Sequence, residues 1–118
     1  MIYKRVLKVE NEITIDGTIC VEPQKIISPS GIPHRQWTMQ HQSERFEEVG
    51  LRRKVWLRLA VLVSGQELVN ETDSYTIGTN VRCTGFISAH KSRKGDTQLI
   101  LHAQKVEIVE FNEDEEEA

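Results

Sequence analysis

Lys54, Trp56 and Arg58 occupy alternate positions in the run RRKVWLRLAVLV, with Arg52 in the same phase and Val55, Leu57 and Leu59 in the other. Successive side chains of a strand point to opposite faces, so the cations and the indole share one face and the aliphatic residues the other. If the aliphatic face fills a core, Trp56 projects outward between positive charges. An indole stacks on any base, worth about 1–3 kcal/mol per base, while neighbouring cations hold phosphates. Single-stranded nucleic acid requires that combination. The competing account packs Trp56 in a subunit contact or under the segment 43–51. A second basic set, Lys91, Arg93 and Lys94, lies in KSRKGD, where Asp96 is the sole acid and Gly95 is read as a source of mobility. Lys25, ahead of a proline-containing turn, is a more isolated candidate.

Two further aromatic residues are assigned by phase. Trp37 alternates with Met39 and belongs to the core. Phe86 shares its phase with Arg82, Thr84, Ser88 and His90, opposite an apolar set, and is either exposed or turned inward by Gly85.

Other chemistries find no support. His34, His41, His90 and His102 are scattered, and neither HQS nor SAH is a nucleophile elbow. No phosphate-binding glycine motif occurs, so neither an enzyme nor a cofactor is expected. Cys20 and Cys83 sit in apolar runs without CxxC or Cys/His spacing, and read as buried free thiols, not as a disulfide or metal ligands.

The elements that must position these residues show a period of two. Ile13, Ile15, Gly17, Ile19 and Val21 alternate in a first strand, followed by the turn SPSGIP at 28–33, whose prolines fix φ. A second strand covers 35–42, and SERFEEVGL at 43–51 is a polar connection. The third strand spans about 52–63, and QELVNETDSY supplies one or two helical turns anchored by Leu68 and Val69. A fourth strand carries Val81, Cys83, Gly85, Ile87 and Ala89 on one face, with a bulge or bend at Gly85. The fifth strand, 97–109, switches apolar phase between Ala103 and Val106, which predicts a bulge near Gln104. Five strands with one helical insert between the third and fourth describe an all-β OB-fold, a Greek-key barrel whose strand 2–3 face and flanking loops commonly bind oligonucleotides.

The chain has 118 residues, 15 Lys+Arg and 18 Asp+Glu, hence a formal charge of -3. Six of the acids fall in EFNEDEEEA at 110–118. The other 12 acids face all 15 cations, so residues 1–109 carry +3. The expected organisation is an OB-fold domain over 1–109 and a disordered acidic tail over 110–118. The tail solubilises the protein, competes with nucleic acid for the basic face, or docks on a basic partner. In the second case, truncation after Val109 raises single-strand affinity at low salt; unchanged affinity removes the idea. No apolar stretch approaches a membrane span, and MIYKRVLKVENEI lacks a signal-peptide core, so a cytoplasmic protein is expected.

GTIC at 17–20, ISPSGIPH at 27–34, Trp56, VSG at 63–65, GFISAHKS at 85–92 and LHAQ at 101–104 together resemble the primosomal replication protein N family, PriB. The family is related to bacterial single-stranded-DNA-binding proteins, and the resemblance covers roughly 13–109. It implies a non-catalytic homodimer that binds single-stranded DNA and bridges the PriA helicase to DnaT during replication restart, in the bacterial cytoplasm near the nucleoid. The family's stacking tryptophan matches Trp56, and its basic loop positions match Lys91 and Arg93. Other family positions depart: an aromatic falls at Leu51, a lysine at Gln98 with Lys94 nearby, an arginine at Gln42, and a basic pair at Lys25 and Ile26. Lys54 and Arg58 are the cations available to compensate. An edge strand is the expected subunit contact. Two rival readings are an interaction adaptor with vestigial nucleic-acid binding and a single-stranded RNA binder.

Overall fold

The computed structural model describes residues 9–111. The alternating segments form β1 (Ile13–Ile27), β2 (Pro33–Phe46), β3 (Arg52–Ser64), α1 (Gln66–Glu71), β4 (Asn80–Lys91) and β5 (Thr97–Ile108). They close into a barrel in the order β1-β2-β3-β5-β4, with β1 pairing back to β4 and only β3–β5 parallel. This is the expected five-stranded OB-fold with its helical insert. The residues beyond Phe111, where most of the acidic tail and its expected disorder fall, lie outside the described set.

Inward-facing residues of all five strands fill the barrel: Ile19, Trp37, Met39, Val61, Val63, Val81, Cys83 and Leu101 are fully buried. Trp37 is a core residue, as its phase indicates, with its ring tilted 59° against Tyr75 at 5.7 Å. Both cysteines are free, but only Cys83 is buried; Cys20 is half-buried because it faces outward from β1. Burial and the nearby Asp16 charge push the Cys83 thiol up to about 12. It therefore stays protonated and inert at neutral pH.

The two anticipated irregularities in β4 and β5 are one feature. Thr84 pairs with Lys105 and Gly85 with Ala103, so Gln104 is the extra residue of a bulge. That insertion turns Val106 inward after Ala103, which accounts for the switch of apolar phase.

A six-residue helix has little stability of its own. Val69 is buried and Leu68 packs on the core, as expected, but a further tie is absent from any local pattern. Arg35, only 7% exposed, donates to the Val69 carbonyl, to Thr72 Oγ1 at 3.0 Å and to Asp73 Oδ1 at 3.3 Å. A guanidinium at the C-terminal turn satisfies carbonyls that the helix leaves unpaired and complements its dipole. Thus β2 holds the helix across one end of the barrel.

At the other end the strands overrun the barrel. β2 pairs with β1 only as far as Gln40, and β3 pairs with β5 only from Ala60 to Leu62. β2 and β3 nevertheless remain paired out to Phe46 and Arg52. Residues 41–46 and 52–59 therefore form a two-stranded arm whose root, at Leu57 and Leu59, still packs on the barrel core, and the molecule measures 60 × 35 × 30 Å. The polar connection expected over 43–51 shrinks to a turn at 47–51, because Ser43–Phe46 stays in register with β3.

Candidate nucleic-acid interface

The arm has two chemically distinct faces. Trp56, Arg58, Lys54 and Arg52 point outward, while Val55 and Leu57 point inward and are partly screened. Trp56 is 58% exposed, as the alternation predicts. The Arg58 guanidinium lies over the indole, 5.9 Å from the ring centroid. That contact is within cation–π range and orders a long side chain beside the stacking surface. The cross-strand partners of Trp56, Arg58 and Lys54 are Gln42, Gln40 and Glu44, so β2 contributes a polar floor to the same face. Trp56 borders an open hollow of about 410 Å³, also lined by Gln42, Glu44 and Lys54.

The remaining charges sort by face. Arg52 pairs with Glu44 at 3.8 Å, an exposed contact of small net worth that a phosphate can replace. Arg53, on the opposite face, is held by Glu47 through two bonds of 2.9 and 3.1 Å. Among the described residues, Lys54, Arg58, Lys91, Arg93 and Lys94 have no carboxylate partner. The root of the arm is tied to β1: His41 Nδ1 donates to the Asp16 carbonyl at 2.7 Å. Arg82 in turn grips the Asp16 carboxylate at 2.8 and 3.0 Å.

Lys91, Arg93 and Lys94 surround the β4–β5 turn. Because Ala60 pairs in parallel with Ile100, the start of β5 is level with Leu57. The basic turn and the Trp56 arm therefore leave the same end of the barrel. The turn is built, not loose: Ser92 N–H donates to the Asp96 carbonyl at 2.8 Å, and Gly95 N–H to the Ser92 carbonyl at 3.0 Å. Gly95 has φ 89°, so it serves turn geometry where the sequence suggested mobility. The same pair of backbone bonds recurs at Ser28–Ile32 and Glu47–Leu51. Each hairpin thus presents its side chains on a defined tip.

Lys25 lies elsewhere. It is in β1, not in a loop, and pairs with Arg35 near the α1 end of the barrel. Seven register steps along β2 separate Arg35 from Gln42, the partner of Trp56, or roughly 24 Å at 3.4 Å per residue. Phe86, left open by its phase, is exposed on the outer face but stacks on His102 at 4.9 Å with an 8° interplanar angle. One of its ring faces is therefore already occupied. Burial and the neighbouring His90 lower the His102 pKa, so this stack adds no charge at neutral pH.

Sequence reasoning missed Phe46. It is 72% exposed, pairs with Arg52 across the arm, and has the Arg52 guanidinium 5.9 Å from its ring centroid. The signal was the continued alternation of Gln42, Glu44 and Phe46, which keeps the phase of the outer face.

Comparison with known proteins matches residues 11–105 to a family described as "another single-strand binding protein family". Replication restart protein PriB of Salmonella typhi is 41% identical over 100 residues, covering 85% of this chain and 95% of its own. Its counterpart from Escherichia coli O1:K1 / APEC is 40% identical over the same length, covering 85% and 95%. Among solved structures, PriB of Ralstonia solanacearum aligns with a TM-score of 0.70 at 20% identity, covering 85% of this chain and 98% of that one. A Plasmodium falciparum SSB complex with single-stranded DNA aligns with a TM-score of 0.68 at 19% identity, covering 92% and 100%. At those identities the structural likeness concerns the fold.

Proposed function

The chain belongs to the replication restart PriB family, and on that premise we propose that it binds single-stranded DNA through the outer face of the β2–β3 arm and the β4–β5 turn. One observation carries the assignment of the face: an exposed Trp56 indole with Arg58 against it and Lys54 beside it. Bases stack on the indole irrespective of sequence, and Lys54, Arg58, Lys91, Arg93 and Lys94 meet phosphates. Arg52 exchanges Glu44 for phosphate, and Lys25 meets the strand only where it extends to the α1 end. The protein acts without catalysis, in the bacterial cytoplasm near the nucleoid. By family resemblance it works as a homodimer that links the PriA helicase to DnaT during replication restart.

The acidic tail starts near the root of the arm. Phe111 lines a cavity of about 490 Å³ together with residues of both phases of β2, Gln40 and Gln42 from the outer face and His41, Ser43 and Arg45 from the inner one.

The test is a titration of tryptophan emission with single-stranded DNA, single-stranded RNA and duplex DNA. Trp37 is buried and supplies constant background, so quenching reports Trp56. Followed by anisotropy of a fluorescein-labelled oligothymidylate, since the variant lacks the responsive indole, Trp56→Ala weakens single-stranded DNA binding by about 5- to 150-fold, the equivalent of about 1–3 kcal/mol, with an unchanged salt slope. Normal binding by this variant rejects the face. Preference for RNA, or poor DNA binding with intact partner loading, favours the rival readings.

A further inference from the structure

The arm repeats one structural unit. Arg58 lies 5.9 Å from the ring centroid of Trp56, and Arg52 lies at the same distance from the ring centroid of Phe46. Both aromatic residues point to the outer face, where Trp56 is 58% and Phe46 72% exposed. They lie on different strands, four register steps apart, since Gln42 pairs with Trp56 and Phe46 with Arg52. At 3.4 Å per residue the two stations are about 14 Å apart. Lys54 lies between them on β3, paired with Glu44 on β2.

We infer that Phe46 and Arg52 form a second base-stacking station for single-stranded DNA, so that the strand runs along the arm toward the 47–51 turn. The inference rests on the outer face being the DNA face. A phenyl ring exposed at the end of a two-stranded ribbon buries little apolar area there, so packing does not account for it. A guanidinium over one ring face orders that ring and brings a positive charge to the adjoining phosphate. Val49 and Leu51 are also exposed at the tip but have no flat π surface on which a base can stack. The ligand is therefore a nucleobase with its phosphate. Outward phase, high exposure and a guanidinium partner are the features that Phe46 shares with Trp56.

Phe46→Ala is expected to weaken binding of a fluorescein-labelled oligothymidylate by about 5- to 20-fold, leaving the salt slope unchanged. The exposed position makes the substitution mild for folding. A second variant moves the reporter: in Phe46→Trp combined with Trp56→Phe, the tryptophan at position 46 is quenched when the oligonucleotide binds. Wild-type affinity in Phe46→Ala, or unquenched emission in the double variant, overturns the second station. If Trp56→Ala alone weakens binding, the DNA face stands and only the Phe46 assignment is lost. If Trp56→Ala also binds normally, the face itself is wrong and the inference falls with it.

Discussion

Replacing Lys91, Arg93 and Lys94 together by alanine is expected to cut single-stranded DNA affinity by a few hundredfold at 50 mM salt, with the difference vanishing toward 1 M. Each cation that neutralises a phosphate releases a counterion and contributes about 0.7 to the slope of log K against log salt for a single strand. Loss of three such contacts lowers the slope by about 2. Between 50 and 200 mM salt the variant therefore loses about 20-fold less affinity than the wild type. The structure supports a full effect because none of the three cations has a carboxylate partner among the described residues. The hydrogen-bonded turn also fixes where they stand. Fluorescence anisotropy across a salt series gives the slope directly. An unchanged slope removes the β4–β5 turn from the interface and leaves the arm to bind alone. The contrast with Trp56→Ala is diagnostic, since loss of stacking shifts the whole line without tilting it.

Much of this arrangement is legible in the chain because the barrel needs one apolar face on every strand. Val55, Leu57 and Leu59 must turn toward the interior, and that requirement alone exposes Trp56 with Lys54 and Arg58. Family membership, likewise, is carried by segments such as ISPSGIPH and GFISAHKS. Legibility fails where the core constraint stops. Ser43–Phe46 has no apolar alternation because the arm projects past the barrel, with Ser43 and Arg45 on its inner side. The segment therefore resembles a loop, and Phe46 within it looks incidental. For a related reason Lys25 does not look like a strand residue: β1 runs on to Ile27, past the end of its apolar alternation, and stays paired with β2 there. Arg35 shows a third limit. Its burial depends on Val69, Thr72 and Asp73, which lie more than 30 positions away and are brought to it by the β3–β4 connection. Local alternation puts Arg35 in phase with Trp37 but contains nothing about the helix that receives it.

Gly85→Ala is expected to be the most damaging single substitution in the barrel, costing more than about 4 kcal/mol and leaving little folded protein at 37 °C. The reason is local to the bulge. With Gln104 extruded from the β4–β5 pairing, the backbone of His102 and Ala103 closes directly over Gly85. A methyl group there overlaps the His102 carbonyl oxygen and lies 2.8 Å from its carbon and 2.9 Å from the Ala103 Cα. All three are main-chain atoms, so no rotamer change relieves the overlap. β4 and β5 must separate, which breaks ladder bonds next to the fully buried Cys83 and Leu101. A domain of this size has about 5–15 kcal/mol in total, so the loss is most or all of its stability. Gly17→Ala is the internal comparison. Its added methyl meets the Gln40 carbonyl oxygen at 2.8 Å and the Met39 sulfur at 2.9 Å. Of these only the Gln40 oxygen is main chain, and its overlap is shallower than that of the His102 oxygen at Gly85, while the methionine side chain can move, so Gly17→Ala destabilises less. Thermal denaturation followed by circular dichroism ranks the two against wild type. A Gly85→Ala melting temperature within a few degrees of wild type, or a larger loss for Gly17→Ala, refutes the account of the bulge.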